Sequence, residues 1–158
     1  MINSYLVVLE DSLNKKKAVL DRIQNISQSQ TSLLKEDGMD AEQYDGYVDE
    51  KDACIQELEA LDEGFDALYE KVRQELLQNK EQYAGQIRKI QGLISEITEK
   101  SVSIQAQENR NRDLLTAYFA QERQALGQMR KSSKVAYGYY QNLNKARRED
   151  ASIMDFKK

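Results

Sequence analysis

The sequence predicts an all-α protein, an elongated antiparallel helical bundle or coiled coil of three or four helices with a long C-terminal helix. Three observations predict this class. The 158 residues contain no proline, the residue that most strongly breaks a helix interior. Strong helix formers dominate the composition, with Glu, Gln, Lys, Leu and Ala prominent. Apolar residues recur at spacings of three and four, so each helix is expected to bury one face against its neighbours.

The first predicted helix covers residues 2–35. Its apolar face has side chains three or four positions apart, and Lys16 and Ser27 interrupt that face. The apolar residues are Ile2, Leu6, Leu9, Leu13, Leu20 and Ile23. A break follows at residues 35–40, because Gly38 can adopt the left-handed conformation that ends a helix and Asp40 can cap the next one.

The second predicted helix covers residues 41–61. Its inner face contains Tyr44, Val48, Ile55, Leu58 and Leu61. Lys51 falls on the same face, and we expect its long side chain to extend outward to solvent. Gly64 marks a weaker break, either a loop or a kink, and the apolar pattern resumes after it. A third possible break lies at residues 78–79.

The last predicted helix is the longest, starting within residues 79–83 and reaching about residue 131. Fifty residues would span roughly 75 Å, which a globular core cannot cover. We therefore expect one end to project or to pack against a partner. Glu108 and Asn111 occupy positions on the apolar face of this helix. Such polar residues either fix the helix register or indicate that this face has left the bundle and is wet.

The predicted organisation is one helical domain, residues 1–131, followed by a flexible or conditionally helical tail, residues 132–158. Ser, Gly and Asn weaken helix formation in the tail, although apolar residues persist there. The tail either folds back on the bundle or folds onto a partner protein. We place the side chains of Tyr137 and Tyr140 outside the core.

The composition excludes most chemistry. Histidine is absent, so the usual general base and the commonest metal ligand are missing. The only cysteine, Cys54, lies in an acidic stretch that disfavours a thiolate, and the glycines form no phosphate-binding loop. We therefore predict a protein that is not an enzyme and that uses no metal and no cofactor.

The charge pattern gives a weaker indication of partners. The net charge is −4, which argues against nucleic acid as a partner, although residues 130–148 are basic and could dock on an acidic partner or pair within the bundle. We expect no stable membrane insertion and no secretory signal, and the single cysteine favours a reducing compartment. The predicted location is the cytoplasm.

Three features coincide in this chain: a long N-terminal helix, an acidic middle, and a long last helix carrying the asparagine-rich stretch 108–115, which ends in Leu114 and Leu115. An apolar, tyrosine-bearing tail with Ala-Tyr-Gly at 136–138 follows. Together they resemble the FlgN family of flagellar export chaperones. The resemblance implies a cytosolic type III export chaperone that holds the hook-associated proteins FlgK and FlgL by their C-terminal helical segments. It also implies that the chaperone prevents premature assembly and delivers its clients to the cytoplasmic domain of the export gate protein FlhA.

The resemblance also implies two sets of functional residues. The client-binding residues carried over to this chain are Asn111, Leu114, Leu115, Tyr118, Phe119, Leu126 and Met129. Docking on the export gate falls to a tail tyrosine, with Tyr137, Tyr139 and Tyr140 as the candidates. A projecting helix with this apolar stripe would suit a client that polymerises through amphipathic helices.

Two other functions stay open at this point. The apolar stripes could serve only self-association, in a structural coiled-coil protein. A chaperone of the FliT type, which serves the filament cap protein, is a close alternative within the same class. The chain could also form a homo-oligomer when no client is present.

Overall fold

The computed structural model describes residues 2–36, 38–121 and 138–140. The first two ranges contain three long α-helices: α1, Ile2–Leu34; α2, Ala41–Gln78; and α3, Ala84–Gln121. No strand occurs in the described part of the chain. The predicted all-α bundle is therefore confirmed. The part of the last predicted helix beyond residue 121 lies outside the described residues.

The break between α1 and α2 forms as the sequence predicts. Gly38 has a φ of 67°, in the left-handed region that a residue with a Cβ rarely adopts. Asp40 then caps α2, because its side chain accepts hydrogen bonds from the backbone N–H of Glu42 at 3.0 Å and of Gln43 at 3.3 Å.

Helix α2 passes through Gly64 without ending, so residues 41–78 form one helix of 38 residues. The weak break at Gly64 does not become a loop, because Phe65 and the apolar residues after it continue the buried face. The break at residues 78–79 is confirmed. Asn79 ends the helix by donating its backbone N–H to the carbonyls of Glu75 and Leu76.

Helix α1 is the centre of the bundle. It packs along both other helices, whereas α2 and α3 have few close backbone contacts and meet mainly through side chains. Ion pairs give the directions: Lys16–Asp62 and Arg22–Glu57 join α1 to α2, and Lys17–Glu96 and Asp21–Lys100 join α1 to α3. Position numbers rise together along α1 and α3 and run oppositely along α1 and α2. The helices therefore run up, down and up.

The core divides into two apolar clusters. The first cluster follows most of α1 and is completed by Ile55, Leu58 and the isoleucine stripe of α3. The second cluster lies where α1 ends, α2 begins and α3 approaches its last described turn. Its buried members are Leu33, Leu34, Met39, Tyr44, Val48, Leu115 and Phe119.

The described end of α3 does not project from the bundle, contrary to the sequence-based expectation. Leu115 and Phe119 are only 1% and 5% exposed, because the end of α1 and the start of α2 cover them. Helices α2 and α3 have the same described length, 38 residues, or roughly 57 Å. A long helix that a globular core could not cover is covered here by two neighbouring helices of similar length.

Candidate functional site

A polar layer made by α1, α2 and α3 lies close to the second apolar cluster. Its central ion pair joins Lys51 of α2 to Glu108 of α3. The Lys51 side chain is 4% exposed and that of Glu108 is 16% exposed. Ser27 of α1 donates its hydroxyl to the same Glu108 carboxylate at 2.8 Å. The prediction that Lys51 extends outward is wrong, since Glu108 provides a buried partner for its charge.

Asn111 lies one turn further along α3 and links it to α1. Its side-chain amide donates to the backbone carbonyl of Ser27 at 2.9 Å, and its carbonyl oxygen accepts from the Thr31 hydroxyl. The residue is 2% exposed. Of the two readings of the polar residues on α3, the register-fixing one is therefore confirmed for Asn111, and the wet face is wrong. Asn111 holds the bundle together from within.

Tyr44 closes this layer from the α2 side. Burial raises the pKa of its phenol, and the negative charges of Glu108 and Asp45 raise it further. The hydroxyl therefore remains protonated over the physiological range. The neutral Tyr44 side chain packs in the second cluster, next to the polar layer.

The proposed client-binding residues on α3 fall into two groups by exposure. Asn111, Leu115 and Phe119 point into the bundle and are buried. Leu114 and Tyr118 are partly buried and pack at the edge of the second cluster, where part of each side chain still faces solvent. The rings of Tyr118 and Phe119 are 6.2 Å apart between centroids. Leu126 and Met129 lie outside the described residues.

The proposed gate-docking tyrosines are brought onto the bundle where the structure describes them. Tyr140 is 1% exposed and belongs to the first apolar cluster. The prediction that Tyr140 lies outside the core is therefore wrong. Tyr139 is partly buried and donates its hydroxyl to the Asp62 carboxylate at 2.6 Å. Tyr137 lies outside the described residues.

The contact between Asp62 and the tail could not be found from periodicity. Asp62 accepts from both Tyr139 and Lys16, so one carboxylate ties α1, α2 and the 138–140 segment together. One signal is present in the sequence, the charged Lys16 on an apolar face. The sequence does not indicate which acidic residue pairs with Lys16, because many carboxylates lie in the acidic middle of the chain.

Cys54 is buried, and burial is the main cause that raises the pKa of its thiol. A thiol that resists ionisation is a poor nucleophile. Over residues 2–36, 38–121 and 138–140 the structure brings together no group of carboxylates and thiols able to hold a metal ion. In the same residues, no helix is both long and apolar enough to cross a bilayer.

The family model for the FlgN protein matches residues 1–145, which is nearly the whole chain. The chain belongs to the FlgN family. The resemblance noted in the sequence is thereby confirmed, and this FlgN-family protein is a flagellar export chaperone. The family is one of chaperones and not of enzymes. Neither the curated proteins nor the solved structures include a significant match to the chain.

Membership of the FlgN family gives the geometry its context. The described part of the chaperone is a bundle in which α1 packs along both α2 and α3, and these two helices meet mainly through side chains.

Proposed function

We propose that this protein binds the C-terminal helical segments of hook-associated proteins of the FlgK and FlgL type. It keeps them from assembling in the cytoplasm and delivers them to the cytoplasmic domain of the export gate protein FlhA. The observation that carries the proposal is the match to the FlgN family over residues 1–145. The three-helix architecture supports it, because helical faces are a common means of capturing helical peptides.

The client-binding surface in this proposal is the outer side of the end of α3. Leu114 and Tyr118 are the described residues that combine apolar area with access to solvent. Leu126 and Met129, which follow in the sequence, are the further residues proposed to bind the client. The surface depends on three buried residues that pack α3 against α1 and α2: Asn111, Leu115 and Phe119. A specific complex of ordinary size would bury about 800 Å² on each partner.

The test is binding of a client C-terminal peptide to the double variant Leu114→Ala, Tyr118→Ala, measured by isothermal titration calorimetry. We expect the dissociation constant to rise about tenfold or more, because both truncations remove apolar contact area from the centre of the surface. Val102→Ala is the matched control, since Val102 lies on the same helix and is 54% exposed. It should bind like the unchanged protein.

Equal affinity of the double variant and the control, with unchanged circular dichroism, would remove the end of α3 from the proposal. Light scattering during the titration also separates a chaperone from a self-associating coiled coil. A chaperone forms a complex whose mass rises by the client, whereas a purely structural coiled coil keeps one oligomeric mass whether or not the peptide is added.

Docking on the gate protein completes the proposed function. Tyr137, Tyr139 and Tyr140 are the proposed contacts, since an aromatic ring with a polar tip suits an interface. In the described arrangement Tyr140 is buried and Tyr139 is hydrogen-bonded to Asp62. Docking of these two side chains on another protein therefore requires their release from the bundle.

A further inference from the structure

The apolar core of the bundle is interrupted at one level in all three helices. Between the first and the second cluster each helix carries polar side chains: Ser27 and Gln30 in α1, Lys51 in α2, and Glu108 and Asn111 in α3. Lys51 and Ser27 both contact Glu108, and Asn111 in turn donates to the Ser27 carbonyl. The two clusters are therefore separate apolar units with the polar layer between them.

The amide of Gln30 is the part of this region that the closed bundle leaves unsatisfied. The residue is 0% exposed, and neither its amide nitrogen nor its amide oxygen has a hydrogen-bond partner among the described residues. A buried donor or acceptor without a partner loses its hydration and gains nothing in return. A leucine would occupy a similar volume without this loss. Gln30 therefore favours any form of the protein in which its amide reaches water.

The polar contacts across the layer can be exchanged for water. They join side chains, or a side chain and one carbonyl, and each hydrogen bond in the bundle replaces one that was made to water. The Lys51–Glu108 pair gains attraction in the bundle, but both charges lose hydration there. Separation of the helices returns both charges to water together, so neither is left buried alone. The layer therefore aligns the helices but adds little to the free energy that keeps them together.

We propose that the part of the bundle beyond the polar layer opens as a separate cooperative unit while the first cluster stays packed, and that Gln30 promotes this opening. The unit, which we call the distal unit, consists of residues 27–34, 41–51 and 108–119. In its open form the end of α1 and the start of α2 leave α3. Opening uncovers Leu115 and Phe119, two of the residues proposed to bind the client, but the opening itself does not depend on the proposed function.

Hydrogen–deuterium exchange of the full-length protein, followed by mass spectrometry, measures this opening. Helical segments as short as those of the distal unit are marginal in water, so they fray once they leave their neighbours and their amides exchange. Protection of these amides reports the opening of the distal unit. Protection at residues 9–23 and 87–104, which include most of the first cluster in α1 and α3, reports a larger unfolding.

Ile90→Val tests whether the two clusters are separate units. Ile90 is 0% exposed in the first cluster and lies eighteen residues before Glu108, roughly 27 Å along α3. We expect protection in the first cluster to fall severalfold, because one buried methylene is lost. Protection in the distal unit should stay unchanged, because Ile90 remains packed when that unit opens. An equal fall in both regions would show one cooperative unit and would overturn the proposal.

Gln30→Leu tests the cause of the opening. We expect protection to rise about tenfold in all three segments of the distal unit together, because the closed form no longer buries an unpartnered amide. Gln56→Leu is the matched control, since Gln56 is exposed on α2, and it should leave the distal unit unchanged. Leucine and glutamine have similar helix propensities, so the local effect of either substitution is small.

Ordinary fraying of the ends of α1 and α2 is the alternative to a cooperative unit. Each frayed end would respond only to substitutions in its own last turns. A response to Gln30→Leu that is confined to the turns of α1 around residue 30 would therefore overturn the proposal. An unchanged exchange rate throughout the distal unit would do the same, whereas a joint response in α1, α2 and α3 supports it.

Discussion

At the residue scale, several polar side chains on apolar helix faces pair with one another across the helices. Lys51 meets Glu108, and Asn111 meets Ser27 and Thr31. Each of these side chains would be costly to bury alone and is tolerable when paired. Because each pairing requires one alignment of the helices, the polar layer opposes slippage of α3 along α1.

Removal of one partner of the central ion pair tests this view. We expect Lys51→Met to destabilise the protein by about 3 kcal/mol, because the Glu108 charge stays buried with only Ser27 to satisfy it. The double variant Lys51→Met, Glu108→Leu should recover most of that loss, since it buries no charge. Urea denaturation followed by circular dichroism measures both values. A single variant as stable as the unchanged protein would show that the pair contributes little.

Asp66 gives a prediction for pH. Asp66 is largely exposed, and partial loss of hydration is the main cause that raises the pKa of its carboxyl; the nearby negative charge of Asp62 raises it further against the opposing effect of Lys16. The folded protein therefore binds this proton more tightly than the unfolded chain does, and the ionised group lowers stability above its pKa. We expect Asp66→Asn to raise the melting temperature at neutral pH, with a gain that shrinks as the pH falls through the range where Asp66 becomes protonated. A gain that is constant with pH would contradict the assignment.

At the element scale, the same residue type has opposite roles at two positions. Gly38 has a positive φ between α1 and α2, where a Cβ is strained. Gly64 lies in the middle of α2, where a Cβ would meet nothing within 4 Å. The local sequence signals a break at both glycines. Only the first one becomes a break, because α1 supplies a continuous packing surface for α2 on both sides of Gly64.

This difference predicts opposite signs for one substitution. Gly64→Ala should stabilise the protein by about 1 kcal/mol, because alanine restricts the unfolded chain and fits the helix without a clash. Gly38→Ala should destabilise it by about 1–2 kcal/mol through left-handed backbone strain. Thermal melts of the two variants, made side by side, check both signs. The same sign for both would mean that local conformation does not decide their effect.

At the scale of the whole molecule, the bundle has one central helix and two that meet mainly through side chains. In this arrangement the end of α1 and the start of α2 pack against the described end of α3 and bury its apolar side chains. The binding surface proposed for the client is therefore the partly exposed edge of a packed cluster and not a free helix. Tyr140 belongs to the first apolar cluster, and Tyr139 donates a hydrogen bond to Asp62 of α2.

Phe119 distinguishes a packed end from a projecting one. We expect Phe119→Ala to cost about 3–5 kcal/mol, as for a core phenylalanine, because the ring packs among the second cluster. On a projecting helix the same change would have little effect on unfolding. Val102→Ala, at an exposed position of the same helix, should change stability by less than about 0.5 kcal/mol. Chemical denaturation measures the contrast.

The helices, most of their ends and the family can be predicted from the amino-acid sequence. The spacing of apolar residues follows from the helix period, and the conformational demands at Gly38 and Asp40 are local, so both can be read without coordinates. Tertiary structure alone decided which polar residues pair. It also decided that α2 continues through Gly64, that Leu115 and Phe119 are covered, and that Tyr140 enters the core. These outcomes depend on groups far apart in the sequence, such as Lys16 and Asp62, which are 46 residues apart, and Ser27 and Asn111, which are 84 residues apart. The spacing of residues along a helix shows which face each residue occupies. It does not show which residue of another helix contacts it on that face.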